Sequence, residues 1–227
     1  GTGRNLQNIP KKVRDIFIPD EGKILIEADL AGAESRAVAF MSCDPMSMRI
    51  FEEGNNIHTY TAGFVFGLNP DQVKEDKTLC ESEDRPNDSK YFISKKLRHS
   101  VEKAGSWVTV SEQLRILPTE AKDLVRKFYK NNPNLIQWFY SVEAQIKKNR
   151  TIITPWGDTR IFMSRPGTSA MNKDGLISWC DITKQAVAHV AQDIVGRVIN
   201  NGICNIYETL CADMQDVEIL LQVHDSV

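Results

Sequence analysis

Two short apolar stretches, one near each end of the 227-residue chain, each deliver an aspartate, and no other feature constrains the fold as tightly. The first is Lys23-Ile24-Leu25-Ile26-Glu27-Ala28-Asp29-Leu30. The second runs from Val217 to Val223, broken only by Glu218 and Gln222, and ends in His224-Asp225. Both read as strands. A carboxylate at the tip of a buried strand is costly unless something positive meets it. Neighbouring strands that bring Asp29 and Asp225 together around divalent metal satisfy that requirement, and the rest of the chain then builds around them.

Hydrophobic residues make up 41% and charged residues 26%, which excludes a disordered chain and suits one domain or two that share a core. A net charge of −2 does not advertise a nucleic-acid binder, although a local basic channel can coexist with an acidic remainder. The five cysteines are scattered and show no metal-binding spacing, as expected of reduced thiols in a cytoplasmic protein. No run is long and apolar enough to span a membrane, and no signal peptide is present, so no membrane partner is expected. The chain opens in a Gly-Thr-Gly-Arg loop and stops just past a strand motif. That is the expectation for a piece of a longer protein.

Between the two stretches the punctuation is mostly helical. Residues 31–43 read as a helix, followed by a break at Asp44-Pro45 and a short helix over 47–53. Another helix begins at Asn56 and stops before Asn69-Pro70. Residues 71–90 read by composition as a solvated loop. Tyr91 to Ala104 places Lys95, His99 and Lys103 at successive i, i+4 positions, so they share one helix face. Such a face is either lysine-rich and solvated or turned toward an anion such as a triphosphate. Helices over 118–131 and 134–148, a hairpin around Trp156-Gly157-Asp158, and a long amphipathic helix over 174–200 complete the reading. The N-terminal run Asn5-Leu6-Gln7-Asn8-Ile9-Pro10 alternates amides with apolar residues; such amides either cap turns or read base edges and sugars. The element order predicts an α+β fold.

Three of these segments together carry a resemblance: Asn5-Leu6-Gln7-Asn8-Ile9-Pro10, then Asp29…Glu34-Ser35-Arg36, then Gln222-Val223-His224-Asp225. They look like the polymerase domain of family A DNA polymerases, the bacterial DNA polymerase I class and its phage relatives, over nearly the whole chain. The resemblance implies a right-hand palm, a small antiparallel sheet with helices, and a helical fingers insertion. Residues 1–50 would be the first part of the palm, 51–172 the fingers and 173–227 the second part of the palm. It implies dNTP addition to a primer 3′-hydroxyl, with two Mg²⁺ ions (or Mn²⁺) held by Asp29, Asp225 and the backbone of Leu30. Glu34 falls on the steric gate beneath the sugar, although a glutamate there also favours the helix dipole. Lys95, His99 and Lys103 fall on the nucleotide-binding positions of the fingers helix. Arg4, Asn5, Gln7, Asn8, Gln185, Gln222 and His224 fall on DNA-contacting positions. The implied partners are primer–template DNA and dNTPs. The implied protein is a monomer whose longer chain carries a thumb and an exonuclease region.

The chain departs from the family pattern mainly in the fingers helix. Tyr91 stands on the arginine position; Lys96 and Arg98 are nearby cations, but the helix turns them to other faces. His99 stands on the aromatic position, as in some phage enzymes, with Ser100 on the glycine, Lys103 on the tyrosine and, beyond that helix, Ser226 on the acid after Asp225. These changes leave two other readings open: a non-catalytic nucleic-acid-binding remnant, and a phage-type single-subunit RNA polymerase, which Glu34 and the Asn-Leu-Gln-Asn-Ile-Pro run oppose.

Overall fold

The computed structural model describes residues 16–211, 217–220 and 222, and its backbone contacts divide the chain into two compact units. One comprises Gly1–Ala33 with Val195–Val227, and the other Glu34–Ile194.

The larger unit is helical, and several of its helices start where the sequence supplies side-chain caps. Helix α1 spans Ala33–Ser42. Asp44 caps α2 (Pro45–Glu52) by accepting from the Ser47 amide at 2.8 Å. Asn56 caps α3 (Ile57–Phe66), which ends at Gly67 with φ 72°, a left-handed turn that glycine enters at little cost. Residues 71–90 correct the expectation of a loop. They form α4 (Pro70–Ser82) and a 3-10 turn at Pro86–Asp88. The physical reason is a capping box: Asn69 and Gln72 each accept the other's backbone N–H at 2.9 Å, with proline at the first helical position. A polar composition does not prevent a helix whose ends are satisfied.

Helix α5 (Lys90–Glu102) is followed by α6 (Trp107–Leu114), which the sequence reading missed. Then come α7 (Pro118–Asn131) and α8 (Pro133–Asn149). The apolar face read for α7, Leu124, Val125, Phe128 and Tyr129, is buried. Strands β1 (Thr151–Ile153) and β2 (Thr159–Ile161) pair antiparallel with Ile152 opposite Arg160, as the hairpin reading expected. A second small hairpin joins β3 (Ala170–Met171) to β4 (Ile177–Ser178). It displaces the expected start of the long helix, because the Asn172 side chain accepts from the amides of Asp174 and Leu176 and closes a turn ending at Gly175. The long helix α9 is therefore Asp181–Ile206 and runs through Gly202. Trp179, Phe139 and Tyr129 centre the lower core: the Trp179 and Phe139 rings meet edge to face at 5.2 Å, and the indole N–H donates to the Tyr129 hydroxyl.

The upper core is organised by charge. Arg98 is 2% exposed and Glu102 4%. Arg98 Nη1 donates to Glu102 Oε1 at 2.7 Å, and Arg98 Nε donates to Thr61 Oγ1 of α3 at 2.8 Å. Ser35 Oγ of α1 donates to Glu102 Oε2 at 2.6 Å, and the guanidinium lies 4.9 Å from the Phe128 ring centroid of α7. One pair on α5 thus fastens three other helices.

In the smaller unit, the expected strand over 21–30 is not a strand. The chain there is irregular apart from a bridge at Asp29, with Ile24 and Ile26 nearly four-fifths exposed. The described part of 217–222 likewise has no strand. Alternation fixes which side chains share a face, but a strand also needs a run of a partner's N–H and C=O groups, and within 21–30 the described ladder pairing is confined to a bridge at Asp29. The two stretches still meet where Lys23 Nζ lies 3.3 Å from Glu218 Oε1, and Gln222 Nε2 donates to Asn200 Oδ1 of the long helix α9 at 3.5 Å.

Removing one member of the buried pair strands the other. We expect Glu102→Ala to lower the unfolding free energy by about 3–5 kcal/mol, and the double change Arg98→Met with Glu102→Leu to cost distinctly less. Urea unfolding of both variants checks this. An equal or larger loss in the double variant would remove the pair from its organising role.

Candidate nucleotide site at the junction of α1 and α5

The residues flanking the buried pair face outward together. On α5 a step of one residue turns the side chain by about 100°, so His99 and the C-cap Lys103 leave the core beside Arg98 and Glu102. Both reach Glu34 in the first turn of α1. Lys103 Nζ is 2.7 Å from Glu34 Oε2, and His99 Nδ1 is 3.9 Å from the same oxygen. Burial, and beyond it the cations Lys103 and Lys95, hold the His99 imidazole below its ordinary pKa, against Glu102 and Glu34, which pull it up. At neutral pH the ring is therefore uncharged, and Lys103 is the ionic partner of Glu34. Lys95 lies one turn back on the same face; it is exposed and makes no ion pair among the described residues.

Behind His99 stands His58 of α3, 7% exposed, its ring 5.5 Å from that of His99 and edge-on to Tyr91 at 5.9 Å. Its Nδ1 has no hydrogen-bond partner among the described residues. Burial, then the neighbouring His99, Arg98 and Lys95, push its pKa down to about 3. Tyr91 accepts from the Asn56 side-chain amide at 3.4 Å. Neither nearby cation stands in for one at Tyr91: Arg98 is committed to the core, and Lys96 Nζ lies 4.8 Å over the Phe92 ring.

Of the residues singled out by sequence, Glu34, His99 and Lys103 are brought together, with Lys95 on the adjoining turn. Gln185 is exposed on α9. Asp29, exposed, Leu30, half-buried, and Gln222 belong to the other unit. Arg4, Asn5, Gln7, Asn8, His224 and Asp225 lie outside the described residues. Among the described residues no group of three or more His, Cys, Asp or Glu side chains could hold a metal ion. The donors named for metal, the carboxylates of Asp29 and Asp225 and the carbonyl of Leu30, are all oxygen, which suits a hard divalent cation. Sequence reasoning missed Ser35, Thr61, His58 and Glu102. The i, i+4 spacing of Arg98 and Glu102 was the available signal.

Comparison with known proteins decides the lineage. The pattern of DNA polymerase family A matches residues 2–227. The chain belongs to this family. It is 30% identical to the thermostable DNA polymerase I of Thermus filiformis over 153 residues, 65% of this chain and 16% of that protein. It is 27% identical to DNA polymerase I of Rhizobium leguminosarum over 233 residues, 98% of this chain and 21% of that protein. The fold matches the polymerase domain of Pol1 from M. smegmatis, solved with DNA primer–template and dNTP, with a TM-score of 0.80 at 22% identity. That match covers 99% of this chain and 38% of the other. The chain thus spans about a fifth of the curated relatives' length. The α+β class, helices with small antiparallel sheets, agrees with the sequence reading. No helix among the described residues is long and apolar enough to cross a membrane.

His58 gives the family A chain a pH signature. Unfolded histidine titrates near 6.5 and folded His58 near 3. Between those values the unfolded state binds a proton that the folded state refuses, so stability falls as pH drops through that window. The expected slope well inside it is about 1.4 kcal/mol per pH unit. Unfolding free energies from pH 7 to 4.5 should fall less steeply in His58→Gln than in the parent; parallel curves would assign the acid sensitivity elsewhere.

Proposed function

We propose that this chain carries out template-directed DNA synthesis, adding dNTPs to a primer 3′-hydroxyl. The observation that carries the reading is the junction of α1 and α5, where a carboxylate, an imidazole and a lysine converge within a chain of family A. Residues 1–50 and 173–227 form the palm, and 51–172 the fingers. Asp29, Asp225 and the Leu30 carbonyl hold the divalent cations. When bound, two Mg²⁺ or Mn²⁺ ions lower the pKa of the attacking hydroxyl and neutralise charge on the departing pyrophosphate.

The chain's own groups bind and orient. Lys95, exposed and one turn from His99, meets the triphosphate as a point charge. The neutral His99 ring offers a face to the incoming base. Glu34 packs beneath the sugar, where its carboxylate crowds a 2′-hydroxyl and favours deoxyribose. Arg4, Asn5, Gln7, Asn8, Gln185, Gln222 and His224 bind the primer–template through phosphate, sugar and minor-groove contacts, which fix register more than sequence. Primer–template and dNTP are bound by the M. smegmatis Pol1 domain of the same fold, which supports these partners.

Primer extension by the whole natural protein that carries this chain, with Mg²⁺ and either dNTPs or rNTPs, tests the reading. We expect extension with dNTPs, reduced about a hundredfold or more by Asp29→Asn or Asp225→Asn. Primer–template binding without extension would replace the reading with a non-catalytic remnant. Efficient extension with rNTPs would point to RNA synthesis.

A further inference from the structure

Consecutive residues at the end of α5 are bonded to consecutive residues at the start of α1. Glu102 accepts from Ser35 in the buried layer, and Lys103 pairs with Glu34 in the half-exposed layer above it. The lower rung joins groups 4% and 1% exposed. The upper joins side chains 40% and 26% exposed. We propose that this two-rung latch sets the sugar selectivity of the site, with Lys103 as the residue that positions the Glu34 carboxylate and Ser35 as the residue that fixes the backbone beneath it. The proposal rests on Glu34 being the sugar-facing group.

The physical argument concerns freedom of rotation. A glutamate in the first turn of a helix has three side-chain torsions and water to compete for its carboxylate. One flexible lysine holds such a group weakly when the pair stands alone on a surface. Here the backbone that bears Glu34 is itself held, because the adjacent Ser35 is fastened to a carboxylate that the core guanidinium has already immobilised. The ammonium then has one oxygen to find, and finds it at 2.7 Å. The uncharged His99 ring lies 3.9 Å from that same oxygen and does not compete as an ion. A carboxylate held by Lys103 on a backbone held by Ser35 can exclude a 2′-hydroxyl; one that swings aside admits it. The upper rung also keeps Glu34 neutralised where a triphosphate anion approaches, so loss of Lys103 both frees the carboxylate and leaves its charge unmet.

The test reads binding, with no dependence on turnover. The whole natural protein is assembled with primer–template whose primer ends in a dideoxynucleotide. The ratio of rNTP to dNTP dissociation constants is then measured for the parent, Glu34→Ala, Lys103→Met, Lys103→Arg, Ser35→Ala and Glu34→Ala with Lys103→Met. Glu34→Ala should lower the ratio, establishing the gate. Lys103→Met should lower it about fivefold and Ser35→Ala about twofold, with Lys103→Arg close to the parent. The double variant should match Glu34→Ala alone, because a residue that acts only through Glu34 has nothing left to position. If Glu34→Ala relaxes selectivity while Lys103→Met and Ser35→Ala keep the parent ratio, the latch is overturned and the gate stands. If Glu34→Ala itself changes nothing, the gate fails and the latch with it. Thermal melts of the same variants separate a lost rung from a lost fold: a lower melting temperature at an unchanged ratio counts against the latch.

Discussion

A guanidinium at 2% exposure cannot be left to water, and the upper half of the helical unit is arranged around meeting it. Arg98 has its countercharge one turn along its own helix, so the ion pair by itself would hold nothing together. What makes it structural is where the other bonds of the pair go, although Arg98 Nη2 has no hydrogen-bond partner among the described residues. Thr61 takes one bond from α3, Ser35 gives one from α1 to the far oxygen of Glu102, and the flat face of the guanidinium lies against Phe128 of α7. Each partner sits on a different helix, so the pair acts as a polar hub. The hub then fixes the outer face. Because residues 98 and 102 point inward, 95, 99 and 103 point outward, and the part of α1 that they meet is the turn held by Ser35.

The helices were legible where their ends carry chemistry. Asn56 and Gly67 bracket α3 at the positions read from sequence, whereas Asp44-Pro45, read as a break before a helix at Ser47, is itself the capped start of α2. Residues 71–90 were misread because their composition was weighed and the Asn69-Pro70 pair was used only as a stop for the preceding helix. The same pair is the start of α4. At Asp174 the error ran the other way, since the local Asn172 turn outcompeted a helical pattern that is sound from Asp181 onward. The two aspartate-bearing stretches show the limit of periodicity. Their alternation is visible in the sequence, yet whether such a segment joins a ladder depends on a neighbour that its own residues do not specify.

The site divides in the same way. The shared face of Lys95, His99 and Lys103 follows from helix geometry alone and was legible. That Lys103 would meet Glu34 was not, because the meeting depends on how α1 lies against α5. Arg98 is the instructive case. Its spacing to Glu102 announces that the two side chains touch, but says nothing of which way that face points; Leu97 and Val101, both fully buried, hold the answer. Helix geometry already turns Arg98 away from the face of Lys95, His99 and Lys103, and the structure adds that its guanidinium is buried and bonded in the core.

Two of the departures from the family pattern in α5 become intelligible from their neighbours. Lys103, on the tyrosine position, finds the Glu34 carboxylate. Tyr91, on the arginine position, packs against His58 and bonds Asn56. Ser100, on the glycine position, is met by Gly105, where an added Cβ would come within 2.5 Å of the Ser100 carbonyl and hydroxyl oxygens. Lys103 and Tyr91 therefore each have a neighbour that accounts for their type by pairing or packing, whereas the buried Ser100 hydroxyl has no hydrogen-bond partner among the described residues and nothing in the structure explains a serine there. Lys95 differs. It is exposed, it makes no ion pair among the described residues, and its charge adds to the burial that lowers the pKa of the two imidazoles beside it. On that ground Lys95, and not Lys103, is the cation proposed to meet the triphosphate.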